Sequence, residues 1–90
     1  MLLLKRIDDS LFVNMKYYRD EDFLIKFGQH LRALRKEKGL SQEDLANECG
    51  LPPSQIGRME RGQLNTAISY LPLIAKILNI PVSRLVDFKF

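Results

Sequence analysis

The sequence predicts an all-α fold, a compact bundle of five short helices. Apolar residues recur at three- and four-residue spacing, which is the period of a helix with one buried face. Glycine, asparagine and proline interrupt this pattern at short intervals, so the helices are brief and the connections short. The chain has 90 residues, enough for one domain with a modest core.

Five segments carry the helical pattern. The predicted helices cover about residues 22–38, 42–49, 53–61, 67–78 and 82–87. The residues expected to face inward are Phe23, Phe27, Leu31 and Leu34 in the first helix, Ile68, Leu71, Ile74, Ala75 and Leu78 in the fourth, and Leu85 and Val86 in the fifth. Pro72 falls near the first turn of the fourth helix, where its missing N–H does little harm. We expect residues 22–90 to form the domain and residues 1–21 to be an N-terminal extension, an arm or a partly disordered segment.

The segment from Leu40 to Gly62 predicts two helices joined by a tight turn. The Ser41 hydroxyl can accept a hydrogen bond at the start of the second helix, and Asp44 resembles the acidic end of a capping box. Gly50 can adopt the left-handed conformation that ends a helix without a steric penalty.

The third helix begins in an unusual way, because two prolines precede it. Pro52 cannot cap a helix through its side chain, so either Ser54 caps a shortened helix or the rigid prolines set its start. Gly57 falls inside this helix, where glycine costs about 1 kcal/mol relative to alanine. It is either a tolerated surface residue or a point of close approach to a ligand.

These residues resemble the helix-turn-helix of the Cro/repressor family, also called the xenobiotic-response-element family. The matching pattern is Gln42-x-x-Leu45-Ala46-x-x-x-Gly50-Leu51-x-x-x-x-Ile56-x-x-x-Glu60-x-Gly62. Segments on both sides resemble the family's other helices, over about residues 23–87. The resemblance implies a bundle of the lambda-repressor-like DNA-binding type.

The resemblance also implies which residues contact DNA. The family's base-reading positions fall on Pro53, Ser54, Gln55 and Arg58. A glutamine can pair at two points with adenine and an arginine with guanine. By the same resemblance Gln42 would hold a phosphate at the start of its helix, and Arg61, Gln63 and Asn65 are candidates for further backbone contacts. Which of these side chains reach the bases depends on the residue at which the third helix starts.

Arg35 and Glu60 occupy positions where the family has a structural ion pair. We expect them to hold the third helix against the first rather than to contact DNA. A partly buried pair of this kind destabilises the fold when one partner is lost.

Composition and charge are compatible with a nucleic-acid-binding domain, and they argue against a disulfide-stabilised fold, a cysteine-based zinc site and a membrane-spanning protein. Residues 1–21 hold four basic and four acidic residues, so the net charge of +3 belongs to residues 22–90. Cys49, the only cysteine, permits no disulfide and no cysteine-based zinc site and is expected to be semi-buried. His30 is also alone, and we expect a surface role for it. No apolar run is long enough for a membrane helix, so a cytoplasmic protein without a membrane partner is predicted.

The sequence therefore predicts a non-enzymatic, sequence-specific transcriptional regulator that binds double-stranded DNA, reads its major groove with the helix at residues 53–61, and is expected to act as a repressor. No cofactor or metal is expected, and a homodimer on a two-fold related site is favoured. The alternative is an antitoxin-like protein-interaction module that binds a toxin or another partner protein. Its partner surface would then include the apolar N-terminal segment and the end of the chain at Phe88 and Phe90.

Overall fold

The structure, a computed structural model, describes residues 18–89. Within that range the chain is helical, without strands, and the prediction of an all-α fold is confirmed. The helices are α1 (Glu21–Glu37), α2 (Gln42–Cys49), α3 (Pro53–Glu60), α4 (Tyr70–Leu78) and α5 (Val82–Leu85). The predicted extension lies outside the described residues up to residue 17, as does Phe90.

Helix α1 begins at a capped turn and buries one face. The Asp20 carboxylate accepts a hydrogen bond from the Phe23 N–H at 3.0 Å, and two acidic residues in the first turn suit the positive end of the helix dipole. The buried side chains along this face are Leu24, Phe27, Leu31, Leu34 and Arg35. Arg35 is the one charged member of this row.

Helix α2 has the predicted capping box and the predicted glycine end. The Asp44 N–H donates to the Ser41 hydroxyl, and the Ser41 N–H donates to the Asp44 carboxylate, each at 2.9 Å. Hydrogen bonds to its carboxylate, first from the Ser41 backbone N–H and then from the Ser41 hydroxyl, lower the pKa of Asp44. Gly50 ends the helix with φ of 69°, in the left-handed region.

The prolines set the start of α3. Pro52 occupies the N-cap position in an extended conformation, makes no side-chain cap and is followed by Pro53 as the first helical residue. Of the two alternatives left by the sequence, the structure therefore has the one in which the prolines set the start of the helix, and not the one in which Ser54 caps a shortened helix. The fixed φ of proline suits a first helical position, where its missing N–H costs nothing.

Helix α4 starts later than predicted, and Ile68 was wrongly assigned to the core. The helix begins at Tyr70 rather than at residue 67, and Ile68 is 79% exposed. Pro72 gives the reason. As third residue of α4 it lacks an N–H that the first turn leaves unsatisfied anyway, whereas a start at residue 67 would have put proline inside the helix and removed a bond to the Ile68 carbonyl.

Helix α5 is shorter than predicted, and Val86 was also wrongly assigned to the core. The helix ends at Leu85, which is fully buried, and Val86 is 40% exposed because the helical register stops before it. The chain end is anchored instead by Phe88. Its ring lies 5.4 Å from that of Phe23 and 6.4 Å from that of Phe27.

A single core lies between the helices. Its fully buried large side chains come from every helix and are Leu31, Leu45, Ile56, Met59, Ile74, Leu78 and Leu85. Helix α3 packs on α1 and α2, while α4 packs on α2 and α5. In the part of the chain described here, no helix is long and apolar enough to cross a membrane.

Candidate nucleic-acid interface

A buried ion pair fixes α3 against α1. Arg35 Nε donates to Glu60 Oε2 at 2.6 Å and Arg35 Nη2 donates to Glu60 Oε1 at 3.0 Å. Arg35 Nη1 also donates to the Leu40 carbonyl at 2.7 Å, which holds the loop between α1 and α2. The hydrogen bond and charge of Glu60 raise the pKa of the guanidinium despite the opposing effect of burial.

Gln42 belongs to the same network. Its side-chain amide donates to Glu60 Oε1 at 2.9 Å and is partly buried. The Gln42 side chain, which was predicted to bind a phosphate, therefore uses its Nε2 group for a hydrogen bond within the protein. Gln42 is also the first residue of α2, so its backbone N–H lies at the positive end of that helix. The backbone group is the part of Gln42 that suits an anion.

Helix α3 presents an exposed polar face. Pro53, Ser54 and Arg58 are exposed, whereas Gln55 is half-buried and lines a small recess with Leu51. The buried residues of the helix are Ile56, Gly57, Met59 and Glu60. The helix thus separates the residues that hold it from those that solvent or a ligand can reach.

Gly57 is buried, so the interpretation of a tolerated surface residue was wrong. A Cβ atom at this position would lie 3.0 Å from Arg61 Nη1 and 3.4 Å from Gln42 Oε1. The bare backbone of α3 therefore lies beneath two polar side chains, both of them predicted to contact DNA. Only the flexible end of Arg61 would have to move for a methyl group to fit.

The loop after α3 is fastened to the chain before α1, which the sequence analysis missed. Asn65 Nδ2 donates to the Tyr18 carbonyl at 3.1 Å, and Arg19 Nη2 donates to the Gln63 carbonyl at 3.3 Å. Arg61 Nε in turn donates to Gln63 Oε1 at 3.3 Å. The first two contacts bridge more than forty residues of sequence, and no local pattern predicts them.

Gly28 is a second residue whose role the sequence analysis missed. A Cβ at Gly28 would overlap the Met59 carbonyl oxygen and lie 2.5 Å from that of Glu60. Only glycine lets the backbones of α1 and α3 approach this closely. A signal was present, since a glycine inside a long helix costs about 1 kcal/mol and usually has a packing reason.

The remaining candidate residues have structural surroundings. His30 Nε2 lies 2.7 Å from the Arg84 carbonyl oxygen, and its ring is 5.2 Å from that of Phe88, so it joins α1 to the chain end. Cys49 is half-buried, as predicted, and burial together with the charge of Glu48 raises the pKa of its thiol. Among residues 18–89, no three His, Cys, Asp or Glu side chains are grouped to hold a metal ion.

Two short helices joined at Gly50, with the second exposing a polar face that includes Arg58 and is followed by Arg61, define a helix-turn-helix domain of the DNA-binding type. Comparison with known families agrees. The helix-turn-helix family profile matches residues 31–85, and the chain belongs to this family in its xenobiotic-response-element branch. The predicted resemblance is thereby confirmed.

Three relatives illustrate the similarity. The transcriptional regulator SinR of Bacillus subtilis is 36% identical over 63 residues, which are 69% of this chain and 57% of SinR. The control protein C.BamHI of Bacillus amyloliquefaciens is 40% identical over 63 residues, which are 69% of this chain and 78% of that protein. The restriction-modification controller C.AhdI of Aeromonas hydrophila has a solved structure that is 48% identical, with a TM-score of 0.66, over 69% of this chain and 94% of that one.

The chain thus spans less than two thirds of SinR. A solved structure of SinR in complex with DNA is similar at 35% identity with a TM-score of 0.62, over 68% of this chain and 98% of that chain. The named relatives are regulators and controller proteins, and they do not favour the alternative of an antitoxin-like module.

Proposed function

We propose that this chain is a sequence-specific, double-stranded DNA-binding transcriptional regulator that reads the major groove with α3 and represses by occupying an operator. One observation carries the proposal. Helix α3 buries Ile56, Met59 and Glu60 while Ser54 and Arg58 stay exposed on the opposite face. Membership of the family and the DNA complex of SinR support it.

Within this proposal, the exposed residues of α3 have separate tasks. Arg58 pairs at two points with guanine, Gln55 does so with adenine, and Pro53 and Ser54 lie against the neighbouring bases. Each two-point pair discriminates by about 1–3 kcal/mol.

The contacts to the DNA backbone flank α3. The backbone N–H of Gln42 holds one phosphate at the start of α2, and Arg61 holds another just after α3. Asn65 contributes there once its amide exchanges the Tyr18 carbonyl for a phosphate oxygen. These contacts fix register and carry no sequence information of their own.

The regulator acts as a homodimer in this proposal. An eight-residue recognition helix makes few base contacts, and two copies on a two-fold related site double them. The two half-sites are then about one helical turn apart, roughly 34–36 Å. Light scattering of the free protein and footprinting on the bound DNA test the stoichiometry and the spacing.

The proposal is tested by fluorescence anisotropy with duplex DNA from upstream of the protein's own gene, against a scrambled duplex of the same length. We expect tight binding to the first, and Arg58→Ala to weaken it by a factor of about 5 to 150, with little change on the second. Arg84→Ala is the matched control, because Arg84 is exposed on α5 and its partner is Glu37. Weak, equal binding of the wild type to both duplexes would overturn the proposal.

A further inference from the structure

We propose that Arg32 and Lys36, on α1, bind backbone phosphates beside the groove that α3 enters, so that the DNA contact surface continues onto the first helix. This inference rests on the proposed function and extends it to residues outside the helix-turn-helix. Both side chains are exposed, and neither belongs to the core or to the buried network.

The packing of α1 against α3 sets the position of Arg32. Gly28 meets the carbonyl groups at the end of α3, and the backbone of Ile25 lies against Gly62 just after it. Arg32 follows Gly28 by four residues and Ile25 by seven, so it projects from the same side of α1. It therefore stands on the side of the domain where α3 ends and Arg61 follows.

Lys36 continues this row by one further turn. Four residues beyond Arg32, it lies in the last turn of α1. The chain then turns at Gly39 into the start of α2, where the Gln42 N–H is proposed to hold a phosphate. Arg32 and Lys36 thus continue along α1 from the end of α3, next to Arg61, towards the turn that leads to Gln42. One DNA strand bound at both contacts would pass along them.

The charges of these two side chains are available for a ligand. Within residues 18–89, three other cations have carboxylate partners on the surface, and the pairs are Arg19–Glu21, Lys26–Asp22 and Arg84–Glu37. Neither Arg32 nor Lys36 has an ion-pair partner among the same residues. They are also four residues apart on one helix face, where like charges repel. A phosphate chain relieves that repulsion.

A second role would place the same charge on α1 without any ligand. Cations in the last turn of a helix interact favourably with its dipole, and Lys36 is so placed. That role affects the stability of the fold and leaves the salt dependence of DNA binding unchanged. Lys76 is the matched control, because it is exposed in the last turn of α4, which packs on α2 and α5.

The test compares the double variant Arg32→Gln/Lys36→Gln with Lys76→Gln. Anisotropy titrations of both duplexes over a range of salt concentrations give the slope of log K against log[salt]. Each lost phosphate contact lowers the magnitude of that slope by about 0.9 and the affinity at 0.1 M salt by a factor of about eight. We expect the double variant to lose about twice that slope, equally on both duplexes, and Lys76→Gln to match the wild type.

Two results would overturn the inference. One is a folded double variant, judged by circular dichroism, whose slope equals that of the wild type. The other is an equal loss of slope in Lys76→Gln, which would indicate an effect of net charge rather than of position. Failure of the proposed function is distinguishable, because it is read from the wild type's preference between the duplexes and not from the slope.

Discussion

Replacing Glu60 by glutamine tests whether the ion pair with Arg35 holds the recognition helix in place. The substitution keeps the size of the side chain and removes its charge. Arg35 and Glu60 have side-chain exposures of 8% and 2%, so solvent cannot replace the lost carboxylate. The guanidinium keeps its bond to the Leu40 carbonyl at 2.7 Å. The new amide oxygen can still accept from Arg35 Nη2 and Gln42 Nε2, but the amide NH2 would then face the Arg35 Nε–H donor with no acceptor between them.

The expected loss of stability follows from these partners. Breaking a buried ion pair by removing one member costs about 3–5 kcal/mol. Because Arg35 retains one strong acceptor, we expect the lower end, about 3 kcal/mol. For a domain of this size, about 4–8 °C of melting temperature is lost per kcal/mol, so the midpoint should fall by about 12–24 °C.

Urea unfolding followed by circular dichroism measures this loss directly. Glu37→Gln is the control, because Glu37 pairs with Arg84 on the surface, with exposures of 54% and 44%, and such pairs contribute at most about 1 kcal/mol. If Glu60→Gln unfolds within about 0.5 kcal/mol of the control, the buried pair does not stabilise the fold, and the reasoning from the burial of its two charges fails with it.

The remaining predictions concern the two buried glycines, the cap of α2 and the cysteine. Gly28→Ala should destabilise the fold by about 1–3 kcal/mol, because its Cβ would meet rigid backbone. Gly57→Ala should be neutral or should stabilise the fold by up to about 1 kcal/mol, because its Cβ would meet only the flexible end of Arg61. Urea unfolding of both variants checks this, and a Gly57→Ala loss as large as that of Gly28→Ala would contradict it. Ser41→Ala should cost about 0.5–2 kcal/mol in the same assay. The fold lowers the pKa of Asp44, so the stability that this carboxylate contributes is present above the ordinary aspartate pKa and is lost as the pH falls through the lowered pKa. In Asp44→Asn, the free energy of unfolding measured in urea should therefore fall less steeply between neutral and acidic pH than in the wild type. The raised pKa of Cys49 keeps its thiol protonated, so iodoacetamide at mildly alkaline pH should alkylate it more slowly in the fold than in urea, and equal rates would contradict this.

Local chemistry made much of the fold predictable. The capping box at Ser41, the glycine at residue 50 and the helical period each act over a few residues, and the structure has them where the sequence placed them. The wrong assignments of Ile68 and Val86 came from extending the apolar period beyond the helix ends. Pro72 would have corrected the first, because a proline so early limits how far back α4 can begin.

Long-range contacts could not be predicted in the same way. The hydrogen bond between Asn65 and Tyr18 joins residues 47 apart in sequence, and the packing of the Phe88 ring against α1 depends on how the finished bundle brings its ends together. The side-chain bond from Gln42 to Glu60 likewise depends on the angle between α2 and α3. The period of a sequence specifies which face is buried but not what lies opposite it.

The separation of buried from exposed residues within α3 has a consequence for how the binding preference of such a protein can evolve. Ile56, Met59 and Glu60 maintain the fold, and Ser54 and Arg58 do not contribute to the core. Exposed substitutions are usually worth less than about 0.5 kcal/mol of stability. New binding preferences can therefore be acquired by one or two exchanges on the outer face, while every intermediate along the way remains folded.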